Sequence, residues 1–106
     1  MSSSLVVNSS SSARIRELRD FEYQYDNAAT VTVEIRDSLG DLVTGETWPK
    51  VMPNINTCGT YQVFFDPALG IVAGDTYKQI ILVVNATNFK QTQFVNYITA
   101  VESAGC

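Results

Sequence analysis

The chain of 106 residues contains no histidine, the most common general base and zinc ligand in proteins. Its absence excludes serine–histidine–aspartate and cysteine–histidine catalytic sets. The sequence also has no P-loop, no Gly-x-Gly-x-x-Gly and no Gly-x-Ser-x-Gly pattern. We therefore expect a protein that is not an enzyme, with no catalytic residue, no cofactor and no metal site.

Cysteine is also scarce, because Cys58 and Cys106 are the only two. Two cysteines do not define a disulfide framework, and neither has a Cys-x-x-Cys partner. A bridge between them stays open, but the unbridged form is favoured for a chain that assembles in a reducing cytoplasm.

Charge is sparse, at 17% of residues, and acidic groups outnumber basic ones to give a net charge of −4. This balance argues against attraction to nucleic acid or to an anionic membrane surface. No segment is long enough to cross a membrane, and the first residues lack the basic start of a secretory signal. We expect protein partners, including further copies of the chain, and no nucleic acid or membrane.

The clearest structural signal lies in residues 28–45. Val31, Val33 and Ile35 alternate with polar residues, which predicts a half-buried strand. Residues 37–41 supply turn chemistry, so residues 42–44 are predicted as the return strand of a hairpin. A calcium ion between the aspartates of this turn is not favoured, because the ligand series of an EF-hand is missing.

Further strands are predicted along the chain, separated by turn signals and without a helical pattern of any length. Residues 13–21 are ambiguous between helix and strand, and we assign a strand. Other strands are expected at residues 60–66, 76–84 and 89–101. The fold prediction is a single antiparallel Ig-like β-sandwich of six to seven strands, all-β, with an extended N-terminal arm. The predicted divisions are a serine-rich arm at 1–12, the sandwich at 13–102 and a tail at 103–106.

Five consecutive aliphatic residues at 80–84 place hydrophobic side chains on both faces of a strand. Such a strand is either central in a sandwich or covered on its outer face by a partner. On the second reading, the candidate partner-binding residues are Ile80, Leu82 and Val84.

The arm and the segment after it supply two more candidate partner contacts. Leu5, Val6 and Val7 form an apolar island among serines, and pairing with a neighbouring subunit is favoured over pairing with the chain's own sheet. Three arginines follow, and they are interpreted either as a basic patch facing an acidic partner or as a solvated strand face. These are Arg14, Arg16 and Arg19.

The only tryptophan, Trp48, directly precedes Pro49, and Pro53 follows four residues later. The two prolines confine this segment to a sheet edge or a connection. A plug over one end of the core is the favoured role for Trp48. The alternative is an exposed binding platform that Trp48 shares with the loop residues Tyr23 and Tyr25.

Several motifs resemble the Ig-like or prealbumin-like modules, whose pattern runs strand, Asp-x-x-Gly turn, strand, Gly-x-Tyr, Gly-x-x-Tyr. The matching residues are Ala-Thr-Val-Thr-Val-Glu-Ile-Arg-Asp at 29–37, Gly40, Val43 and Gly45, Gly-Thr-Tyr at 59–61 and Gly-Asp-Thr-Tyr at 74–77. The resemblance implies structural roles for Tyr61 and Tyr77. It says little about function, because such modules occur in adhesins, carriers and virions.

A narrower resemblance concerns Leu-Arg-Asp at 18–20, Asp-Asn-Ala at 26–28, the predicted hairpin and Thr-Trp-Pro at 47–49. This order is similar to small proteins encoded among tailed-bacteriophage structural genes. It implies a non-enzymatic virion protein, assembled in the host cytoplasm, that binds capsid or connector subunits as a head decoration or a head-to-tail component. The alternative function is an Ig-like module that recognises a host receptor or a carbohydrate through loop aromatics.

Overall fold

The structure is a computed structural model that describes residues 5–7, 11–20 and 22–102. These residues contain no helix, which confirms the all-β prediction. The strands are β1 (Val6–Val7), β2 (Ser11–Ile15), β3 (Thr30–Arg36), β4 (Lys50–Val51), β5 (Tyr61–Phe65), β6 (Thr76–Val84), β7 (Gln91–Thr99) and β8 (Val101–Glu102).

A four-stranded antiparallel sheet, with strand order β4-β3-β6-β7, forms the larger layer. β3 and β6 pair over the whole length of β3, and β6 pairs with β7 over nine residues. The alternation predicted for β3 is confirmed, because Val31, Val33 and Ile35 are all buried. We call the side that carries these residues the inner face, and the opposite side the outer face.

The smaller layer is the antiparallel pair β2 and β5. Its buried residues alternate on both strands, so one side of this pair packs into the core while the other side, which carries Phe64, faces outward. Tyr61, Val63 and Phe65 share the side that packs against the core, and Phe64 lies on the other. The two antiparallel sheets therefore enclose one core. Its residues include Ala13, Ile15, Val31, Val33, Ile35, Tyr61, Phe65, Tyr77, Ile81 and Val83.

The third pairing is parallel and joins the two ends of the chain, with Val6 opposite Val101. Leu5 is 1% exposed and belongs to the core, and Ser11 starts β2. The boundary predicted at residue 12 therefore falls inside a strand, because burial of the β2 side chains against β5 begins at Ser11.

The predicted return strand at residues 42–44 is wrong. This segment makes only a bridge between Leu42 and Arg36 and a backbone bond from Val43 N to Ile35 O of 3.0 Å. The carbonyl of Thr44 instead accepts a bond from Gly70 N at 2.8 Å, which draws the chain away from β3. β3 therefore finds its long-range partners in β6 and β4.

The strand predicted at residues 13–21 is shorter and starts earlier, at Ser11–Ile15. Glu17 has a φ of 53°, a left-handed conformation that ends the strand. Leu18 N then donates to Gly59 O at 2.9 Å. A Cβ on Gly59, which has a φ of 66°, would collide with the Leu18 backbone, so glycine permits this close approach.

Candidate interaction surface

The outer face of β6 carries Ile80, Leu82 and Val84, which alternate with the buried Ile81 and Val83 of the inner face. Each of the three outward residues is half-buried by its neighbours in the sheet. β6 is central in its sheet, as one reading of the sequence predicted, but its outer face has no second layer within the described residues. Three aliphatic side chains are therefore available to a partner.

Neighbouring strands extend this apolar surface. Val95 of β7 lies opposite Ile80, and Val51 of β4 lies two strands away from Leu82, across Thr32 of β3. Tyr97 is 69% exposed and Val51 is 63% exposed. The outer patch consists of Val51, Ile80, Leu82, Val84, Val95 and Tyr97.

Charged residues border the outer patch at the end of the sheet near Tyr97. Glu34 lies opposite Ile80 in the sheet, and Arg36 lies opposite Lys78, which in turn lies opposite Tyr97. The Arg36 Nε atom is 3.3 Å from Glu34 Oε1, and both side chains are about a quarter to a third exposed. Surface pairs of this kind contribute little to stability.

The free edge of β7 is the second exposed feature of the large sheet. In the part of the chain that the structure describes, β7 pairs only with β6. Ala100 N donates to Asp75 O at 2.9 Å on the β6 side, whereas Val101 N donates to Leu5 O at 3.0 Å on the opposite side. Since backbone groups alternate in direction along a strand, the odd-numbered residues from Gln91 to Thr99 direct their N–H and C=O groups away from β6.

Leu5, Val6 and Val7 lie within the chain's own fold. Val6 N donates to Ser11 Oγ at 2.8 Å, in addition to the pairing of β1 with β8. The structure thus places the described part of the predicted arm against its own sheet, the reading that was not favoured. Pairing with a neighbouring subunit would require these residues to leave their present contacts.

The three candidate arginines do not form one patch. Arg14 is half-buried on the outward side of β2, opposite Gln62, and Arg16 is exposed just after this strand. The Arg19 guanidinium lies 4.2 Å from the centre of the Tyr25 ring and its Nη1 donates to Tyr23 O at 2.9 Å. Arg19 therefore organises its own loop.

Tyr61 fixes the connection between the two layers. Its hydroxyl donates to Asp26 O at 2.8 Å and accepts from Ala29 N at 3.2 Å, just before β3. Burial raises the pKa of the Tyr61 hydroxyl, because the charged form would lose solvation. Tyr77 makes a similar contact, since its hydroxyl accepts from Val72 N at 2.8 Å. Both tyrosines lie where structural roles were expected.

Trp48 packs beside Phe65, with 5.6 Å between ring centres, and its Nε1 donates to Val43 O at 2.6 Å. This contact lies at the Phe65 end of β5, whereas the loop of Tyr23 and Tyr25 connects to the Tyr61 end through Asp26. Trp48 is half-buried and packed against the core. The structure does not bring the three aromatic residues of the alternative platform together.

The described residues contain no group of three or more His, Cys, Asp or Glu side chains that could hold a metal ion. Asp37 Oδ1 accepts bonds from Leu39 N at 2.9 Å and Asp41 N at 3.0 Å, as its predicted turn role requires. Cys58 is an exposed free thiol, and Cys106 lies outside the described residues. No helix that could span a membrane is found in the described ranges.

Sequence reasoning identified the β6 part of the outer patch but missed Val51, Val95 and Tyr97 and the open edge of β7. Nothing in the local pattern tells which strand becomes an edge, because that depends on pairings between distant residues. Residues 91–101 contain no charged side chain, which by itself is more typical of an interior strand. Edge strands of soluble proteins are usually protected by charge or proline.

The chain matches no protein-family model, and no curated protein or solved structure is significantly similar to it.

Proposed function

We propose that the chain is a non-enzymatic structural protein of a bacteriophage particle. In this role it binds neighbouring virion subunits through the outer face of its four-stranded sheet. It serves as a head decoration or as a component of the head-to-tail region. The phage assignment rests on the sequence resemblance, and the docking surface rests on the geometry of the sheet.

The observation that carries the proposal is the outer patch. It consists of residues of β4, β6 and β7, with Thr32 of β3 between Val51 and Leu82. Val51 and Tyr97 at its margins are more than half exposed. Contiguous apolar surface on a small domain is typical of a protein-binding site. The border of Glu34, Arg36 and Lys78 would select the orientation of the partner.

Repetition of the same contact in a particle allows a small interface to give stable binding. The chain has 106 residues, so the area that one face offers is at the lower end of stable interfaces. In a lattice or ring, several such contacts act together, and their combined strength exceeds that of one contact by orders of magnitude.

The test is quantitative mass spectrometry of density-purified particles of the phage that encodes the chain, with its copy number taken relative to the major capsid subunit. A ratio near one supports a decoration protein, and a few copies per particle support a head-to-tail component. Absence of the chain from the particles would overturn the phage proposal.

A matched pair of variants tests the surface. Leu82→Glu places a charge in the outer patch, where we expect incorporation into particles to fall at least about tenfold, the equivalent of about 1.4 kcal/mol. Phe64→Glu is the control, because Phe64 is 62% exposed on the outward side of the small sheet. Normal incorporation of Leu82→Glu would show that the outer patch is not the docking surface.

The alternative, a receptor- or carbohydrate-binding module, is favoured by one observation. Tyr23 is 81% exposed on its loop beside the Arg19–Tyr25 contact. Retention of the purified chain on host cell-wall carbohydrate, abolished by Tyr23→Ala, would support this alternative. Retention that survives the substitution would exclude Tyr23 as the recognition residue.

A further inference from the structure

The two edges of the large sheet differ in how they are protected. β4 has two residues and lies between Pro49 and Pro53, which cannot donate ladder bonds. β7 has nine residues and, in the described part of the chain, a free edge over its whole length. None of the seven basic or eleven acidic residues of the chain lies in β7, and it has no proline. The sheet therefore has one closed edge and one open edge.

We propose that the open edge of β7 binds β7 of a second copy of the chain, in antiparallel orientation, and forms a continuous eight-stranded sheet. This inference goes beyond the proposed function, since it concerns the free protein in solution and does not depend on a phage particle.

A second copy fits this edge better than an unrelated strand for a reason of symmetry. In an antiparallel pair related by a two-fold axis, the residues near the axis lie beside their own copies, so a charge in the middle of the strand would lie beside the same charge. A strand without charges pairs with itself without this cost. Because the other edge of the sheet is closed by β4, pairing stops at two copies and does not continue into a fibre.

The contacts at the end of β7 limit the possible registers. Leu5 occupies the position beside Ala100, since Val101 N donates to Leu5 O. A partner strand must therefore end before this point. The register with the two-fold axis at Phe94 meets this condition, because it places Gln91 opposite Tyr97 and Gln93 opposite Val95 of the second copy.

This register also matches the direction of the free backbone groups. Gln91, Gln93, Val95 and Tyr97 all direct N–H and C=O groups to the open side, so their pairing supplies about eight backbone hydrogen bonds across the axis. Phe94 meets its own copy on the inner side of the sheet. On the outer face, the patches of the two copies meet at Val95 and become one surface.

The first measurement is sedimentation velocity of the purified chain from about 1 µM to about 500 µM, the range for a contact of modest area. We expect a reversible monomer–dimer equilibrium. Val95→Lys should raise the dissociation constant at least about tenfold, because lysine protects edges against pairing. A chain that stays monomeric over this range would overturn the inference and leave the particle proposal standing.

Val51→Lys is the matched control. Val51 is also an outward valine of an edge strand, but on the closed side of the sheet. We expect its dissociation constant to stay within about twofold of the wild type. Equal weakening by both substitutions would mean that the copies meet face to face through the outer patch, which would overturn edge pairing.

Cross-linking tests the register without relying on a destabilising variant. Gln93→Cys and Val95→Cys are prepared separately, with Cys58 and Cys106 replaced by serine, and are mixed under oxidising conditions. Directly opposite residues lie about 5.5 Å apart between Cα atoms, within disulfide range, whereas diagonal ones lie about 7–8 Å apart. Random pairing of an equal mixture would give mixed dimers at about twice the amount of either self-linked species, and we expect mixed dimers to exceed this ratio severalfold. Mixed dimers at or below the random ratio would overturn the register.

Discussion

Phe64 and Phe65 are neighbours in β5, yet Phe64 is 62% exposed and Phe65 is 2% exposed. Ile81 and Leu82 repeat this contrast in β6, with Ile81 buried and Leu82 half-buried. In both cases the chemistry of the two side chains is nearly the same. The difference teaches that the opposing layer, and not the hydrophobicity of a residue, decides whether a side chain is buried in the core or remains exposed.

The largest expected effect comes from the phenylalanine pair. Phe65→Ala removes a ring that packs against Trp48 in the core, and we expect the free energy of unfolding to fall by about 3–5 kcal/mol. Phe64→Ala removes exposed surface only, and a change within about 0.5 kcal/mol is expected. Urea denaturation of the two variants measures both. Similar losses for both would show that the outward side of β5 is covered.

The two alanine substitutions in β6 should differ less in the free energy of unfolding, again with the larger loss at the buried residue. Ile81→Ala leaves a cavity between the layers, for which we expect a loss of about 2–4 kcal/mol. Leu82→Ala removes a side chain that the sheet covers only in part, and a loss of about 1 kcal/mol is expected. Thermal unfolding at low protein concentration, where the chain is monomeric, measures the stability lost by each substitution. A Leu82→Ala loss equal to that of Ile81→Ala would contradict an uncovered outer face.

The smallest effect concerns Tyr61, which ties the smaller layer to the loop before β3. Tyr61→Phe removes two hydrogen bonds to the backbone while keeping the ring, and we expect a loss of about 1–2 kcal/mol at neutral pH.

The raised pKa of Tyr61 adds a pH dependence to this variant. The folded state holds the proton more tightly than the unfolded state, whose tyrosine titrates near pH 10. The contribution of Tyr61 is therefore complete below about pH 10 and is lost as the pH rises towards the folded-state pKa. The stability difference between wild type and Tyr61→Phe should narrow above about pH 10 in urea titrations. A constant difference would mean that the hydroxyl is not shielded from solvent.

Local alternation predicted much of the architecture. The period of two in residues 31–35 and the turn residues at 37–41 were sufficient for β3 and its turn. The segment with Pro49 and Pro53, expected at a sheet edge or in a connection, contains the edge strand β4. The return strand at 42–44 failed because Thr44 O is used by Gly70, a contact between residues distant in sequence. Nothing in the local sequence pattern indicates that Thr44 O pairs with Gly70.

The candidate surface was predictable in part, for the same reason. The run at 80–84 showed that two faces of one strand are apolar, but whether the outer one is covered depends on layers built from other segments. Val95 and Tyr97 joined the patch only through the register of β7 with β6. Leu5, expected to contact a neighbour, is buried in the chain's own core.

The sequence by itself determined the strand-forming segments, the absence of histidine-dependent chemistry and the charge-free stretch that became β7, since these are properties of side chains and their spacing. The tertiary structure decided which strands became edges, which face of β6 was covered, and that, among the described residues, β4 closes one edge while β7 leaves the other open. The physical reason is that hydrogen-bond pairing and layer packing join residues far apart in sequence, and their competition is settled only when the whole chain is folded.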